Sequence, residues 1–270
     1  MPGTGEASTR EGRAPGSKIG KGNQIPLLIA FLSDIHANLP ALQAAVADAK
    51  KRGVSQMFCA GDITGYGPFP NEVCDYLQES RIAAIAGNYD EKVLTVITHG
   101  SSSFDTLPKK KQMILLWTAE QLSQRSREYL SKLPHRLDLE FPGQNKLLVV
   151  HGSPLGNDDD ILPSITARGL KTKMGEARAD ILVCGHTHIP FVKKISKVLV
   201  VNCGSVGQPV DGDTRLAYAI INLDEESSAR ARIVRVDYEL KRTLEALKKT
   251  SLPKRLRQDY ALGTKRMFMQ

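Results

Sequence analysis

The segment LLIAFLSDIHANLPALQAAVADAK, residues 27–50, predicts a buried strand followed by a helix and so decides the fold class. Its first seven residues form an apolar run that is typical of a strand buried on both faces of a sheet. Asn38 is placed to cap a helix that has Pro40 in its first turn, where a missing N–H costs little. Similar strands follow at 56–60 and 81–86, with a helix between them. The first 90 residues therefore indicate parallel strand–helix–strand units.

The remainder of the chain continues the mixture of helices and strands. Residues 91–134 are helical in pattern and 239–249 form an amphipathic helix. Further strands are predicted at 146–150, 180–184, 190–195, 197–203, 216–223 and 231–238. We predict a single domain over residues 27–250. It would follow a flexible tail, 1–26, and precede a basic tail or helix, 251–270.

The distribution of charge along the chain limits the kinds of partner that we expect this protein to bind. Residues 1–26 carry four basic and two acidic groups, a net charge of +2. Residues 241–270 carry nine basic and two acidic groups, a net charge of +7. Because the whole chain has a net charge of +8, the remaining 214 residues have a net charge of −1. A near-neutral centre argues against a nucleic-acid groove. The basic end is either a steering element for phosphate-bearing ligands or a solvated helix face.

The four cysteines form no Cys-x-x-Cys pair, which predicts buried thiols in a reducing compartment, the cytoplasm. No run of about 18 apolar residues occurs, so a membrane partner is not expected. The sequence leaves homo-oligomerisation open.

Five polar clusters each follow an apolar run that is predicted to be a strand. Because carboxyl ends of parallel strands meet at one edge of a sheet, these side chains are expected to lie together. The set combines two Asp, one Asn and four His, which suits Mn, Fe, Co, Ni or Zn better than Ca or Mg. The clusters are Asp34-Ile35-His36, Gly61-Asp62, Gly87-Asn88, His151-Gly152 and Gly185-His186-Thr187-His188.

The order of these clusters resembles that of the calcineurin-like metallophosphoesterase superfamily. The segments GDITGYGPFPNEV (61–73), HGSP (151–154) and NCGSVGQP (202–209) are similar to its small prokaryotic phosphodiesterases, a branch that includes dinucleoside-polyphosphate hydrolases. The resemblance implies an α/β fold of four layers, in which two mixed sheets face each other and helices flank them. We expect this β-sandwich rather than a plain doubly wound sheet.

The resemblance also implies two divalent transition-metal ions, with manganese expected first and Fe, Ni, Co or Zn as alternatives. Asp62 would bridge the ions, and a hydroxide between them would attack phosphorus. The substrate would be a small phosphodiester, phosphoanhydride or phosphomonoester. The implied ligands are Asp34, His36, Asp62 and His188 for the first ion, and Asp62, Asn88, His151 and His186 for the second. Asp62, Asn88, Tyr89 and His151 are the expected catalytic residues.

One position departs from the family pattern. Where the family commonly has Gly-Asn-His-Asp or Gly-Asn-His-Glu, this chain has Gly87-Asn88-Tyr89-Asp90. A phenol, with a pKa of roughly 10 in peptides, is a poor proton donor or acceptor near pH 7 but a good hydrogen-bond donor. We therefore expect weak activity on simple phosphomonoesters. Asp90 would either orient a ligand or cap a helix.

The remaining candidates each have a functional and a structural interpretation. Gly204 and Ser205 would offer backbone N–H groups to a phosphate, or form a turn. Tyr66 and Phe69 would stack on a base, or pack. The acidic stretch 158–160 is interpreted as a solvated loop, His99 and His135 as structural, and Arg215 as part of a surface ion pair. Two other functions compete with the small-molecule hydrolase: a nuclease, and a metal-binding scaffold without activity.

Overall fold

Two five-stranded sheets face each other in the computed structural model, which describes residues 27–141, 145–223 and 229–264. The predicted tail 1–26 lies outside these residues. The strands are β1 Leu27–Leu32, β2 Gln56–Cys59, β3 Ala83–Ala84, β4 Arg136–Phe141, β5 Asn145–Val150, β6 Ile181–Cys184, β7 Phe191–Ile195, β8 Val198–Asn202, β9 Leu216–Leu223 and β10 Ala229–Val236. The first sheet has the order β10-β9-β1-β2-β3 and the second the order β4-β5-β6-β8-β7.

Helices cover the outer faces of both sheets. The helices that share the hydrophobic cluster on the outer face of the first sheet are α1 Leu39–Lys51, α2 Pro70–Glu79, α3 Asn88–His99, α4 Lys109–Gln121, α5 Gln124–Ser131, α7 Leu240–Lys248 and α8 Arg255–Leu262. The second sheet packs on α6 Ala167–Met174. This four-layer arrangement confirms the predicted fold. Among the helices described, none is long and apolar enough to cross a membrane.

Strand β1 shows why its sequence is apolar throughout. Ile29 and Phe31 point into the core between the sheets, where they join Val149 and Val183. Leu32 belongs to the opposite cluster, which packs under the helices. Because side chains alternate along a strand and both faces of β1 are covered, every position must be apolar.

The parallel strands carry the polar clusters to one end of the sandwich. Strand β1 is parallel to β2, and β2 to β3, while β6 is parallel to both β5 and β8. Backbone hydrogen bonds continue beyond the strand ends. Asp34 N donates to Gly61 O at 3.0 Å, and Gly185 N to His151 O at 2.8 Å. The loops after the strands are therefore held together in pairs.

Two elements lie in segments to which the sequence analysis assigned no structure. Strand β4, RLDLEF, pairs antiparallel with β5 at the edge of the second sheet. Its apolar residues Leu137, Leu139 and Phe141 alternate with charged ones, as expected for a strand covered on one face only. Helix α6 is short, and its buried residues are Leu170 and Met174.

The segment after residue 250 contains helix α8, which packs against the body of the protein. Leu256 is fully buried and Tyr260 is 3% exposed, and both belong to the cluster that includes Leu247 of α7. The helix is followed by Gly263, which has a left-handed backbone (φ 60°) that commonly ends a helix. Most of the basic residues between positions 241 and 262 therefore lie on α7 and α8, which pack against the body of the protein.

We expect Leu256→Ala to lower the free energy of unfolding by about 2–5 kcal/mol, because it leaves a cavity beneath α8. Leu262→Ala on the same helix is the matched control. Leu262 is 50% exposed, so its truncation should cost within about 0.5 kcal/mol. Urea denaturation measures both values. Equal losses in the two variants would show that α8 does not contribute to the core.

Candidate metal centre

Seven polar side chains from the five strand-end loops converge where the loops of the two sheets meet. Two groups have ligand atoms within 4.8 Å of one another, namely Asp34 with His36 and His188, and Asp34 with Asp62 and His151. Apart from partly exposed His186, every one of the seven is at most 4% exposed. The seven are Asp34, His36, Asp62, Asn88, His151, His186 and His188, the residues that the family resemblance assigns to metal binding.

In the first group, which is Asp34, His36 and His188, the two histidines direct nitrogen lone pairs toward each other. His36 Nδ1 lies 3.0 Å from the carbonyl oxygen of Thr64, and His188 Nδ1 lies 2.6 Å from that of Gln208. A carbonyl only accepts, so each Nδ1 carries a proton and each neutral ring has a bare Nε2. The two Nε2 atoms are 3.1 Å apart, and Asp34 Oδ1 is 3.2 Å from that of His188. Bare nitrogens beside a carboxylate fit a cation between them.

Asp62 belongs to the second group, and its carboxylate also faces His36 of the first group. Its Oδ2 lies 3.5 Å from Nε2 of His36, and its Oδ1 lies 3.4 Å from Nε2 of His151. The backbone N–H of Tyr89 also donates to Oδ1, at 2.8 Å, which fixes the carboxylate plane. One carboxylate that directs its two oxygens at different histidines has the orientation needed to bridge two ions.

The second group is also preset for a cation. His151 Nδ1 lies 2.7 Å from the carbonyl of Ala60 and its Nε2 lies 3.2 Å from Asn88 Oδ1, so both ring nitrogens face acceptors and a proton occupies Nε2 where a metal ion would bind. Asn88 Nδ2 donates to Asp158 at 2.6 Å, which keeps the amide oxygen directed at the site. His186 Nδ1 is buried and has no hydrogen-bond partner among the residues described. Once His151 loses its Nε2 proton, these oxygen and nitrogen atoms can all act as metal ligands.

The electrostatics of the centre favour positive charge. Burial acts to raise the pKa of Asp62, but His151 and His36 lower it to about 2. Burial acts to lower the pKa of His151, but Asp62 and Asp34 raise it to about 10. The same carboxylates that attract a proton to His151 would attract a metal ion, and a bound ion displaces that proton.

The backbone at the ligands is strained. Asp34, His36, Asp62, His186 and His188 all have left-handed backbone conformations, with φ between 46° and 64°. Such conformations cost roughly 1–3 kcal/mol for a residue other than glycine and persist where the surroundings enforce them. The turns direct consecutive side chains of each loop toward the same centre.

Two glycines permit the close approach of loops to ligands. A Cβ atom on Gly87 would lie 2.2 Å from Asp62 Oδ1, and one on Gly185 would lie 2.4 Å from Asp34 Oδ2. That Asp34 oxygen accepts the backbone N–H of His186 at 2.9 Å. A side chain at either glycine would displace the carboxylate beside it.

Asp90 holds the loop that carries Asp62. It accepts hydrogen bonds from the N–H groups of Gly87, Ile63 and Thr64 at 2.9–3.1 Å and from the Thr64 hydroxyl at 2.8 Å. Burial, with the nearby charge of Asp62, raises its pKa to about 6. Asp90 therefore caps α3, as one interpretation of the sequence expected, and its other contacts are with the backbone and Thr64 of the neighbouring loop.

Tyr89 and Tyr66 form a hydroxyl pair beside the first group. Their hydroxyls hydrogen-bond to each other, and both rings contact the ring of His36 with their edges, at centroid distances of 5.5 and 4.7 Å respectively. Burial raises the pKa of both phenols above the usual value, so both stay protonated. Tyr66 is fully buried although it borders the cavity, so packing accounts for its ring and stacking on a base stays a prediction.

A cavity of about 360 Å³ opens onto the centre. Its lining includes the ligands Asp62, Asn88, His186 and His188 and the pair Tyr66 and Tyr89. The ligand atoms are therefore accessible to a small molecule although their side chains are mostly buried.

Ser205 and Gly204 lie behind the centre. The Ser205 hydroxyl donates to the carbonyl of Asp34 at 2.7 Å and accepts the N–H of Gln208 at 2.7 Å. Gly204 has a positive φ of 71° and closely approaches Pro190. Neither is among the described residues that line the cavity. Their contacts support the turn interpretation, with Ser205 bracing the loop of Asp34.

The other distal candidates have local partners. Exposed His99 contacts Thr98, and His135 forms a 2.8 Å pair with Glu91. Arg215 pairs with Asp213 at 2.8 Å. The guanidinium carbon of Arg242 lies over the ring of Phe69, 5.9 Å from the ring centroid.

The acidic stretch 158–160 is solvated, as the sequence suggested, since the side chains of Asp158 and Asp160 are 65% and 58% exposed, and it also borders the site. Asp158 accepts from Asn88 and from Lys92 Nζ, at 2.6 and 2.5 Å. Asp160 Oδ1 is 3.4 Å from His186 Nε2. The sequence signal for this contribution was the short distance along the chain, because the stretch begins seven residues after the ligand His151.

Comparisons with known proteins agree with this geometry. The calcineurin-like phosphoesterase superfamily domain matches residues 27–226. The chain is 32% identical to the uncharacterized protein MJ0912 of Methanocaldococcus jannaschii, over 87% of this chain and 98% of that protein. It is 23% identical to the phosphodiesterase YfcE of Escherichia coli, over 73% of this chain and 88% of YfcE. The metallophosphoesterase structure from Sphaerobacter thermophilus has a TM-score of 0.71 at 28% identity, covering 89% of this chain and 100% of that one.

The chain therefore belongs to the calcineurin-like phosphoesterase superfamily. The predicted family is confirmed, together with its small prokaryotic phosphodiesterase branch. The chain is a metal-dependent phosphoesterase, and the divalent-metal binding expected from the sequence fits its donor set. The number of ions, their identity and the roles of single residues are proposals, as is a cytoplasmic location.

We expect Gly87→Ala to weaken manganese binding by about 10- to 100-fold, the range typical when support for a metal ligand is lost. The added methyl group would displace Asp62. Gly156→Ala is the control, since a Cβ there meets nothing within 4 Å. Calorimetric titration with Mn²⁺ measures both, with thermal melting as the check on folding. Wild-type affinity in Gly87→Ala would show that the position of Asp62 does not limit binding.

Proposed function

We propose that this protein is a dinuclear phosphohydrolase that cleaves phosphodiester and phosphoanhydride bonds of small substrates. The observation that carries the proposal is the carboxylate of Asp62, whose two oxygens face histidines of two different ligand groups. The phosphodiesterase name of the relative YfcE supports the same bond class.

One ion would be held by Asp34, His36, Asp62 and His188, and the other by Asp62, Asn88, His151 and His186. Of the candidate metals, manganese is our first choice, because the mixed oxygen and nitrogen donors suit a borderline ion and contain no thiolate. When bound, such a pair of ions activates a water molecule for attack on phosphorus and neutralises charge on the phosphoryl oxygens.

The residues of the chain set the orientation of this chemistry. Asp62 fixes the separation of the two ligand groups, because its carboxylate plane is held by the Tyr89 N–H at 2.8 Å. Asn88 is held by Asp158 with its amide oxygen toward His151. These contacts exist in the protein alone, so little reorganisation is needed when substrate arrives.

Tyr89 serves the leaving oxygen as a hydrogen-bond donor in our proposal. Its raised pKa keeps the phenol protonated, but the same shift makes it a poor proton donor. An alkoxide leaving group needs a proton, whereas nitrophenolate or a nucleotide phosphate departs more easily. The enzyme should therefore prefer activated diesters and polyphosphates to alkyl phosphomonoesters.

We expect two metal ions per chain after reconstitution with Mn²⁺, and loss of activity in EDTA. Asp62→Ala should lower kcat/KM for bis(p-nitrophenyl) phosphate by more than about 100-fold, because it removes a ligand from both ions, and should reduce the metal content below one ion per chain. Elemental analysis and steady-state kinetics measure these effects. His99→Ala, at an exposed histidine outside the centre, is the control. A stoichiometry of one in the wild type, with Asp62→Ala active, would disprove the dinuclear centre.

We expect Tyr89→His to raise kcat for an alkyl phosphomonoester, recovering part of the roughly 10²–10⁴-fold that proton donation contributes. The gain should be smaller for nitrophenyl esters, because their leaving group needs no proton. Tyr89→Phe should lower kcat for both, since the ring remains and only the hydroxyl is lost. Steady-state kinetics on the two substrate types separates the effects. If Phe equals Tyr and His improves nothing, position 89 does not serve the leaving group.

A further inference from the structure

Two lysines form part of the wall of the cavity that contains the metal ligands. Lys92 lies on α3, one turn after Asn88, and Lys111 lies in the first turn of the neighbouring helix α4. Both line the cavity together with Asn88 and His186. The helices pack against each other, so they bring two cationic side chains to the same side of the centre.

The two lysines differ in their surroundings. Lys92 Nζ is 2.5 Å from Asp158 and 5.9 Å from the ring centroid of Tyr89. Because Asp158 also holds Asn88, this lysine supports a metal ligand as well as facing the cavity. Lys111 is partly buried, and burial lowers its pKa, as does the nearby charge of Lys92, while the carboxylate of Asp158 acts in the opposite direction. A further anion between the two lysines would be attracted by both charges in this semi-enclosed wall.

Apolar side chains complete the same wall. Leu107 and Leu115 come from the helical region that carries Lys111, while Leu162 and Ile189 come from loops of the second sheet. Leu162 is 41% exposed, which is unusual for a large apolar side chain beside a charged centre. Such a lining accommodates an organic group next to the charged part of a ligand.

We propose that Lys111, assisted by Lys92, forms an anion subsite for a second phosphoryl group of the substrate. The scissile phosphoryl group would lie at the metal centre, and the organic group would lie against the leucines. The substrate class is therefore a nucleotide-like molecule with at least two phosphoryl groups. This inference rests on the proposed function, because the first phosphoryl group is placed by the metals.

The test compares AMP and ADP, which differ by one phosphoryl group, as ligands of the Mn²⁺-loaded protein. Calorimetric titration at constant free Mn²⁺ gives both dissociation constants without any need for turnover. The wild type should bind ADP about 10- to 100-fold more tightly than AMP, the range expected for one charge-assisted contact. In Lys111→Met this ratio should fall to about 2 or less, and Lys111→Arg should keep most of it.

Lys110→Met is the matched control, because Lys110 precedes Lys111 on α4 but is exposed and lies outside the cavity lining. Its ADP to AMP ratio should equal that of the wild type. An unchanged ratio in Lys111→Met, or no preference for ADP in the wild type, would overturn the subsite. Thermal melting with bound Mn²⁺ shows that each variant is folded.

Hydrolysis of bis(p-nitrophenyl) phosphate is measured on the same samples and keeps the two proposals separate. Absent hydrolysis with a retained ADP preference would count against the phosphohydrolase and leave the subsite intact. Normal hydrolysis with no ADP preference would count against the subsite alone.

Discussion

The organisation of this protein depends on an electrostatic constraint: more hydrogen-bond acceptors converge at the centre than there are donors to match them. His36, His151 and His188 each use Nδ1 on a backbone carbonyl, so their Nε2 atoms face the carboxylates of Asp34 and Asp62, and the proton on His151 supplies positive charge that a metal ion would replace. Burying such a set without positive charge costs several kcal/mol per uncompensated group. Metal binding removes that cost, so the affinity for cations is already present in the folded chain.

The fold provides the convergence through its parallel strands. Each ligand follows the end of a strand, and backbone hydrogen bonds beyond the strand ends keep the loops in contact. Left-handed turns at five of the seven ligands then direct side chains inward, at an energetic cost that the packed sheets must offset. Gly87 and Gly185 are needed for the same reason, since only hydrogen fits between their backbone and the carboxylates. Strain and close approach are thus consequences of bringing five loops to one point.

Much of this could be predicted from the sequence, because the strongest signals are local. The apolar run of β1 and the polar residues after each strand predict parallel strand–helix units and the seven converging side chains, whereas the two facing sheets followed from the family resemblance. Strand β4 was missed because only half of its residues are apolar. The contact of Asp158 with Asn88 was not predicted, because the two residues lie 70 positions apart and neither indicates the other. Lys111 gave no signal in a run of three lysines, only one of which lines the cavity. Contacts between distant segments can be known only from the three-dimensional structure, whereas periodicity can be recognised in the sequence alone.

Helix α3 links the metal centre to the substrate wall. Its first turn supplies the amide of Asn88, the N–H and hydroxyl of Tyr89, and the carboxylate of Asp90. The next turn supplies Lys92. A rigid helix fixes such groups relative to one another more accurately than a loop does. In our proposal, tyrosine in place of histidine at position 89 changes the group offered to the leaving oxygen, while the backbone N–H of the same residue still orients Asp62. The proposed subsite on α3 and α4 would then determine which phosphorylated molecule is cleaved at the metal centre.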